Sequence, residues 1–322
     1  MSKFGLSSIA MAAAMVLAGM SPALAQGYPD RPVTVFVGVA PGGGSDSIAR
    51  RLAKVLQEKW GQPVVVENRT GADGTIAAQL VADAKPDGYT LLFTANGLTL
   101  SAMTMDAGYD PIKDFSHITQ IGTIPLVLSA NPVMEVTDVK SMVELVKSKP
   151  DQYSAGASGS ANATWHGINQ FVNQTGMSVA VVPYKGQGAM TTALLAGEVQ
   201  FGLSGIVGAF PQLQQNGGTL IPLAVTSAER SAMLPDVPTF KEALGLEHME
   251  IWDGWYGVVA PAGTPDDIVQ KLHTDIVEAL NTEPLRSDLE SDGVKIVGND
   301  PATFKAVLEE HLKLYAELLA AK

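Results

Sequence analysis

The chain has 322 residues, of which 46% are hydrophobic and 17% charged. This composition excludes disordered, fibrous and collagenous proteins, and the length predicts two folded lobes rather than a single core. The formal net charge of −12 and the absence of any long single-sign block exclude the basic surface that nucleic acid or an anionic membrane requires. The chain contains no cysteine, which excludes disulfides, thiolate zinc sites and cysteine nucleophiles.

The N-terminus has the three parts of a secretory signal peptide. Lys3 supplies the positive charge, residues 9–20 form a short apolar stretch, and Ala23-Leu24-Ala25 is a small-x-small cleavage site. A buried N-terminal helix is the alternative, but residues 9–20 lack the polar positions at helical spacing that such a helix would show. We therefore predict that residues 1–25 are a signal peptide, that cleavage follows Ala25, and that the mature protein resides in the periplasm.

The first part of the mature chain alternates strands with helices. Residues 33–39 are almost continuously apolar and β-branched, which is typical of a strand covered on both faces of a parallel sheet. Apolar residues at helical spacing predict a helix from Ser45 to Trp60. Further strands are predicted at 64–66 and 89–93, with a helix between them at 75–84. The segment is thus predicted to be a βαβαβ unit.

A second alternating series follows. It is predicted to have strands at 126–128, near 153, and at 179–182, 199–203 and 220–225, with helices at 139–147, 164–175 and 189–195. After it, residues 252–259 predict a long strand, and apolar positions at 268–280 and 304–319 predict two amphipathic helices that end the chain.

Two alternating series predict an α/β fold with two lobes. We expect residues 26–125 and 250–322 to form a discontinuous first lobe and residues 126–249 to form the second. No flexible linker separates the lobes, so we expect the chain to cross between them near 122–126 and again near 250–255, with a ligand cleft at the crossing.

The loop Pro41-Gly42-Gly43-Gly44-Ser45-Asp46 lies between a predicted strand and a predicted helix. Free backbone N–H groups and the positive end of the helix dipole favour an anion at such a position. The loop lacks the Gly-Lys-Ser/Thr ending of a P-loop and the spacing of a dinucleotide fingerprint. An ordinary turn, with Ser45 as N-cap and a surface ion pair between Asp46 and Arg50, remains an equal alternative.

A second candidate loop precedes the predicted helix at 164–175. Residues 158–164 contain Ser158, Ser160, Asn162 and Thr164, and four uncharged polar side chains in seven residues exceed what helix capping requires. This favours a ligand-binding loop in the second lobe. The loops at 67–74 and 184–188 are weaker candidates, since glycine-containing turns and a solvated Lys185 account for them.

The sequence shows no catalytic or metal-binding constellation. The segments at 156–159 and 202–205 lack the final glycine of a GxSxG nucleophile elbow, and the five histidines lack metal-ligand spacing. His166 lies in the polar segment, where a histidine satisfied within its own helix is more plausible than a catalytic base. An exported α/β enzyme is therefore a minor alternative, and we expect neither a metal nor a cofactor.

The order of several short motifs resembles the Bug family, the extracytoplasmic solute receptors of tripartite tricarboxylate transporters. The motifs, spread over essentially the whole mature chain, are Tyr28-Pro29-Asp30-Arg31-Pro32, the glycine loop at 41–46 with Ala49-Arg50, Val66-Glu67-Asn68-Arg69, Gly71-Ala72-Asp73-Gly74, Pro86-Asp87-Gly88-Tyr89, Pro183-Tyr184-Lys185-Gly186, Leu234-Pro235-Asp236-Val237-Pro238-Thr239 and residues 257–265. The resemblance implies a type II periplasmic-binding-protein fold, a small organic carboxylate held in the cleft by backbone amides, hydroxyls and waters, and delivery to membrane permease subunits. We expect the receptor to be a monomer. A ligand sensor for a two-component system is the alternative that the sequence leaves open.

The resemblance also implies the positions of ligand contacts. Gly43, Gly44, Ser45 and Asp46 match the ligand-holding turn of the family, and Ser158, Ser160, Asn162 and Thr164 occupy the place of the second-lobe loop. The chain departs from the family pattern at Trp165-His166-Gly167, where a histidine-leucine pair is common. Asn96, Tyr184, Ser204 and Trp255, near the ends of other strands, are further candidates.

Overall fold

A computed structural model describes residues 27–42, 44–159, 162–214 and 217–320. The predicted signal peptide and two candidate site residues, Gly43 and Ser160, lie outside the described residues. Eleven strands of the described part form two sheets, each covered by helices. Within the same ranges, no helix combines the length and the apolar character needed to cross a bilayer.

The first sheet has six strands in the order β11-β4-β10-β3-β1-β2. Its strands are β1 (Val33–Val37), β2 (Val64–Asn68), β3 (Thr90–Ala95), β4 (Phe115–Ile124), β10 (Gly254–Pro261) and β11 (Lys295–Ile296). The helices associated with it are α1 (Gly44–Trp60), α2 (Thr75–Ala82), α3 (Gly97–Thr104), α9 (Asp266–Leu280), α10 (Leu285–Ser291) and α11 (Pro301–Ala320). Strand β1 pairs in parallel with both β2 and β3, which confirms the predicted βαβαβ unit.

The second sheet has five strands in the order β7-β6-β8-β5-β9. Its strands are β5 (Leu126–Ala130), β6 (Ser154–Ala157), β7 (Ala180–Pro183), β8 (Phe201–Gly205) and β9 (Ile221–Val225). Its helices are α4 (Val139–Ser148), α5 (Ala163–Thr175), α6 (Gln187–Ala196), α7 (Ile206–Ala209) and α8 (Phe240–Leu244). Every strand and helix predicted for this series is present within a few residues of its expected bounds.

Strand β4 was not predicted, although it is the longest strand described. Its apolar pattern is interrupted by His117, Thr119 and Gln120, all of which are buried. The fold supplies each with a partner: His117 Nε2 lies 3.0 Å from the carbonyl of Pro111, and the Thr119 hydroxyl donates to the carbonyl of Asn299 at 2.7 Å. Polar groups that are hydrogen-bonded can occupy a core position, and periodicity alone does not reveal them.

The chain passes between the sheets at two places. Strand β4 runs into β5 through Pro125, and the segment after β9 returns to the first sheet at β10. Helix α11 also contacts both sides: Phe304 and Leu308 pack in the core of the first sheet, whereas Tyr315 is buried in a cluster with second-sheet residues. The C-terminal helix therefore connects the cores of the two sheets, in addition to the two crossing segments.

Candidate functional site

Three cavities lie beside strand ends and helix N-termini, and a larger one of about 640 Å³ lies at the crossing segments beside Pro125 and Asp253, with Arg230, Arg286 and Lys295 in its wall. The α1 cavity measures about 380 Å³ and is lined by Gly42, Gly44, Ser47, Ile48, Arg51, Ile124, Gln187, Gly205, Val207, Tyr256 and Asp292. The α3–α5 cavity, about 240 Å³, is lined by Asp73, residues 95–97, Leu100, Ser101 and residues 162–164. The β1–β3 cavity, about 120 Å³, lies beside Ser45, Asp73 and Gly97. The first two take residues from both sheets, as expected for an interlobe ligand cleft.

The glycine loop ends at the N-terminus of α1, which begins at Gly44. Gly44 is exposed and lines the α1 cavity, whereas Ser45 lines the β1–β3 cavity. Ser45 lies inside the helix and is therefore not the N-cap that the turn interpretation predicted. Gly42 has φ +85°, a backbone conformation that side chains rarely adopt.

Asp46 holds this loop in place. Its carboxylate accepts hydrogen bonds from the Gly42 N–H at 2.9 Å, from Arg50 Nε at 3.0 Å and from Asn68 Nδ2 at 2.8 Å. Hydrogen bonding to Arg50 is the largest of the effects that lower the pKa of Asp46 to about 2. The expected surface ion pair is half right: the Arg50 side chain is 49% exposed, but the Asp46 side chain is only 4% exposed and forms the buried centre of a network.

The polar loop of the second lobe is hydrogen-bonded to itself. The Thr164 hydroxyl accepts from the Ser158 N–H at 3.0 Å and lies 2.8 Å from Asn162 Oδ1. Asn162 Oδ1 also accepts from the Trp165 N–H, which makes Asn162 the N-cap of α5. Three of the four predicted residues thus form one compact turn, and two of them, Asn162 and Thr164, line the α3–α5 cavity.

Asn96 and Trp255 are brought together, but as structural partners. The Asn96 amide donates to the carbonyl of Asp253 at 2.9 Å and accepts from the Trp255 N–H at 2.9 Å, which fixes the start of β10. The Trp255 ring is buried at 1% exposure and packs edge-on against Phe304, with centroids 5.6 Å apart. The side chain of Trp255 therefore points into the core of the first sheet.

The neighbouring residue, Tyr256, was missed by the sequence reasoning. Successive side chains of a strand point to opposite faces, so when Trp255 faces the core, Tyr256 faces the α1 cavity. Its hydroxyl lies 3.1 Å from the position that a Cβ at Gly44 would occupy. Burial raises the pKa of Tyr256, which keeps the phenol protonated and available as a donor. The alternation itself was the sequence signal that could have distinguished the two residues.

The remaining candidates lie in the second lobe. Tyr184 is half-buried just after β7, and its N–H donates to the carbonyl of Ala157 at 2.9 Å. Ser204 is 2% exposed within β8, opposite Val127 of β5. Its neighbour Gly205, at the end of the strand, lines the α1 cavity instead.

Helix N-termini and three charged side chains line the cleft: Arg51 and Asp292 lie in the wall of the α1 cavity, and Asp73 lines the other two cavities. The N-termini of α1, α3, α5 and α6 contribute Gly44, Gly97, Ala163 and Gln187 to the cavity walls. Each N-terminus presents free N–H groups and a partial positive charge. In the part of the chain that the structure describes, no group of three or more His, Asp or Glu side chains is arranged to hold a metal ion. The walls therefore suit an uncomplexed anionic group.

Comparison with known proteins shows similarity along almost the whole chain. A sequence profile described as Tripartite tricarboxylate transporter family receptor matches residues 48–321. Protein BugT of Bordetella pertussis is 30% identical over 299 residues, covering 92% of this chain and 90% of that protein. A protein of Agrobacterium vitis from the TAR-I ttuE-ttuC' intergenic region is 33% identical over 312 residues, covering 96% and 89%.

Solved structures show the same similarity. The periplasmic binding protein BugD superposes with a TM-score of 0.76 at 31% identity, covering 91% of this chain and 98% of that one. R. palustris Rpa4515 with adipate gives a TM-score of 0.78 at 32% identity, covering 90% and 97%. MatC from Rhodopseudomonas palustris with bound malate gives a TM-score of 0.75 at 29% identity, covering 90% of this chain and 99% of that one.

These similarities confirm the resemblance to the Bug proteins and the two-lobed α/β fold of periplasmic binding proteins that it implied. The profile match alone covers more than half of the chain. The chain belongs to the tripartite tricarboxylate transporter receptor family, which is a family of substrate-binding receptors and not of enzymes.

Proposed function

We propose that this receptor captures a small organic carboxylate in the interlobe cleft and delivers it to the permease subunits of a tripartite tricarboxylate transporter. The observation that carries the proposal is that each of two cavities is lined by two helix N-termini, one from each lobe: those of α1 and α6 at the α1 cavity, and those of α3 and α5 at the α3–α5 cavity. Free N–H groups and helix dipoles bind carboxylates without a cationic side chain. Related structures support the class of ligand, since Rpa4515 was solved with adipate and MatC with malate.

The contacts we propose combine residues of the cavity walls with those that the family resemblance implies, of which Gly43 and Ser160 lie outside the described residues. The N–H groups at Gly43, Gly44 and Ser45 bind one carboxylate from the first lobe, and the Tyr256 hydroxyl donates to the same group. Ser158, Ser160, Asn162 and Thr164 contact the ligand from the second lobe. To do so, Thr164 and Ser158 exchange part of their mutual hydrogen bonding for bonds to ligand or water, which costs little because hydroxyls reorient freely.

We propose that residues 26–125 and 250–322 form the first lobe and that residues 126–249 form the second. We also propose that the cleft closes by rotation of the lobes about the two crossing segments. The α1 cavity supports closure, because Gly44 and Tyr256 on one side face Gln187 and Gly205 on the other. A ligand that contacts both walls favours the closed form by its differential affinity. The mature receptor is proposed to begin at Gln26 and to act as a periplasmic monomer.

Calorimetric titration tests the proposal. Purified mature protein is titrated with mono- and dicarboxylates of two to six carbons, and with the matching uncharged amides as controls. We expect saturable 1:1 binding of at least one carboxylate and none of its amide. Native mass spectrometry of freshly purified protein would identify a retained ligand by its mass. Binding of amides as tightly as carboxylates would contradict an anion site.

Delivery to a permease needs a separate test. We expect cells that lack the receptor to lose uptake of the carboxylate identified by titration, and to regain it with the receptor expressed in the periplasm. Uptake that is unchanged in the absence of the receptor would favour a sensory role instead.

A further inference from the structure

Arg51 is the only cation among the residues that line the three cleft cavities, within the part of the chain that the structure describes. It stands on the same face of α1 as Gly44 and Ser47, because positions seven and four residues apart align along a helix. The Arg51 side chain runs back toward the start of the helix, since its Nε contacts the carbonyl of Ser47 at 3.4 Å. The guanidinium therefore lies nearer the glycine loop than its Cα does.

The guanidinium is held by two carboxylates of the first lobe. Arg51 Nη2 pairs closely with Asp292, and Nη1 lies 4.0 Å from Asp288. A guanidinium has five N–H donors in a planar fork, so these contacts and the bond to Ser47 leave donors for a further acceptor. Asp292 also lines the α1 cavity and is 39% exposed, which allows its carboxylate to turn into solvent.

We propose that Arg51 determines the ligand class of the cleft by binding the second carboxylate of a dicarboxylate, in exchange with Asp292. This inference rests on the proposed function, in which the first carboxylate binds at Gly44. Neither the glycine loop nor the polar loop at 158–164 supplies a cation, so among the described residues that line these three cavities Arg51 is the one that can distinguish a second charge from an apolar end.

The spacing supports a short dicarboxylate. Gly44 and Arg51 are separated by seven residues, which is about 10 Å along a helix axis. The backward course of the Arg51 side chain shortens the gap between the N-terminal N–H groups and the guanidinium by several Å. An extended chain of four to six carbons has its carboxylates separated by a distance in that range.

Asp292 determines how strongly a dicarboxylate can bind to Arg51. A dicarboxylate must compete with Asp292 for the guanidinium, and two carboxylates on one guanidinium repel each other. A monocarboxylate with an apolar end leaves the pair between Arg51 and Asp292 intact. Removing Asp292 should therefore strengthen dicarboxylate binding, whereas removing Arg51 should weaken it, and neither change should alter monocarboxylate binding.

The experiment compares ligands of equal length. Wild type, Arg51→Gln and Asp292→Asn are titrated calorimetrically with succinate, glutarate and adipate, and with butyrate, pentanoate and hexanoate. We expect wild type to prefer a dicarboxylate over its matched monocarboxylate. Arg51→Gln should weaken the best dicarboxylate about tenfold or more, and Asp292→Asn should tighten it about threefold, each with less than a twofold change for the monocarboxylate.

The control is Arg31→Gln, which makes the same charge change at an exposed pair with Asp87, and neither of these residues lines a cavity described above. It should leave both affinities unchanged, and thermal unfolding checks that every variant is folded. A wild type that binds monocarboxylates better, or an Arg51→Gln variant that weakens both ligand types equally, would overturn the inference while leaving the proposed function standing. A wild type that binds no carboxylate would overturn the proposed function itself.

Discussion

The Thr226 hydroxyl donates a hydrogen bond to the carboxyl group of Asp253 in the second crossing segment, and a further bond of Thr226 reaches the first crossing segment. Thr226 also accepts from the N–H of Leu126, the first residue of β5, at 2.8 Å. Asp253 in turn precedes β10, and its carbonyl accepts from Asn96. Both crossings are thus joined at one point, so that a change at Asp253 affects the hinge as a whole.

The stability of the protein should fall as pH rises from 4 to 8, because in this range Asp253 is protonated in the folded state and ionised in the unfolded state. Burial raises the pKa of Asp253 from 3.8 to about 8, and Glu250 raises it further whereas Lys295 opposes the shift. Between these two values the unfolded chain releases a proton that the folded protein keeps, so this group's contribution to the free energy of unfolding decreases by a few kcal/mol from pH 4 to pH 8.

Asp253→Asn removes the titration and preserves the shape and the acceptor for Thr226. We expect the melting temperature of the variant, measured from pH 4 to pH 8, to depend less on pH than that of wild type, and to exceed it at pH 8. Parallel curves for the two proteins would show that Asp253 is ionised throughout and that Lys295 compensates its charge.

Asp46 should contribute to stability with the opposite pH dependence. Its pKa is lowered to about 2, so its contribution is fully present above pH 4 and is lost as pH falls through 2. Asp46→Ala leaves the Gly42 N–H and the Asn68 amide without their acceptor, and we expect a loss of about 2 kcal/mol in the free energy of unfolding at pH 7.

The matched control is Glu229→Ala, which breaks an ion pair with Lys295 whose members are 80% and 69% exposed. Such a pair contributes little, so the denaturation midpoint should stay at the wild-type value. Equal effects of the two substitutions in urea denaturation would show that the Asp46 network adds nothing beyond a surface pair.

The order of the elements could be predicted because most of them bury apolar residues at a regular period. The βαβαβ unit at 33–95 and the second series from Leu126 both follow from that pattern. Strand β4 and helix α3 could not be predicted in this way. In β4, His117 and Thr119 occupy core positions because the carbonyl of Pro111, six residues before His117, and that of Asn299, from a distant part of the chain, lie within hydrogen-bonding distance.

The candidate site was predicted from its loops, whereas two residues that line the α1 cavity, Arg51 and Tyr256, were not predicted. The glycine loop and the turn at 158–164 carry local signals, and three of their residues, Gly44, Asn162 and Thr164, line cavities in the structure. Arg51 carries none, since an arginine in an amphipathic helix is an ordinary residue, and Tyr256 carries only the alternation of side chains along its strand. Only the packing of β10 against β3 and of α10 against α1 brings them to the same cavity.

Helix α11 should stabilise the second crossing through Tyr315. The Tyr315 ring stacks on Trp252 with centroids 5.2 Å apart, and its hydroxyl donates to the carbonyl of Ile251 at 3.2 Å. Tyr315→Ala removes a fully buried aromatic ring, and we expect this to lower the free energy of unfolding by about 3 to 5 kcal/mol. Amide hydrogen exchange at residues 251–255 should accelerate with it.

Tyr315→Phe serves as the control, because it keeps the ring and removes only the hydroxyl. Tyr315→Phe should lower the free energy of unfolding by about 1 kcal/mol and leave the amide exchange rates close to those of wild type. Unchanged exchange at 251–255 in a folded Tyr315→Ala protein would mean that the crossing is held by Asn96 and Thr226 alone.

Gly44 offers the most direct test of the carboxylate site at α1. A Cβ at this position would meet only the Tyr256 hydroxyl, at 3.1 Å, and Gly44 does not have the left-handed φ that Gly42 has. Side chains at Gly44 are therefore compatible with the fold but occupy the cavity beside the N–H groups proposed to bind the ligand.

Gly44→Ala should weaken carboxylate binding modestly, and Gly44→Val should weaken it about tenfold or more by placing branched atoms at the ligand position. The melting temperatures of both variants should stay within a few degrees of wild type, which separates blocked binding from lost folding. Because the obstruction grows from Gly to Ala to Val at one position, calorimetric affinities should decrease in that order. A well-folded Gly44→Val protein with wild-type affinity would mean that the glycine loop is only a turn and that the carboxylate binds elsewhere in the cleft, with the α3–α5 cavity then the stronger candidate.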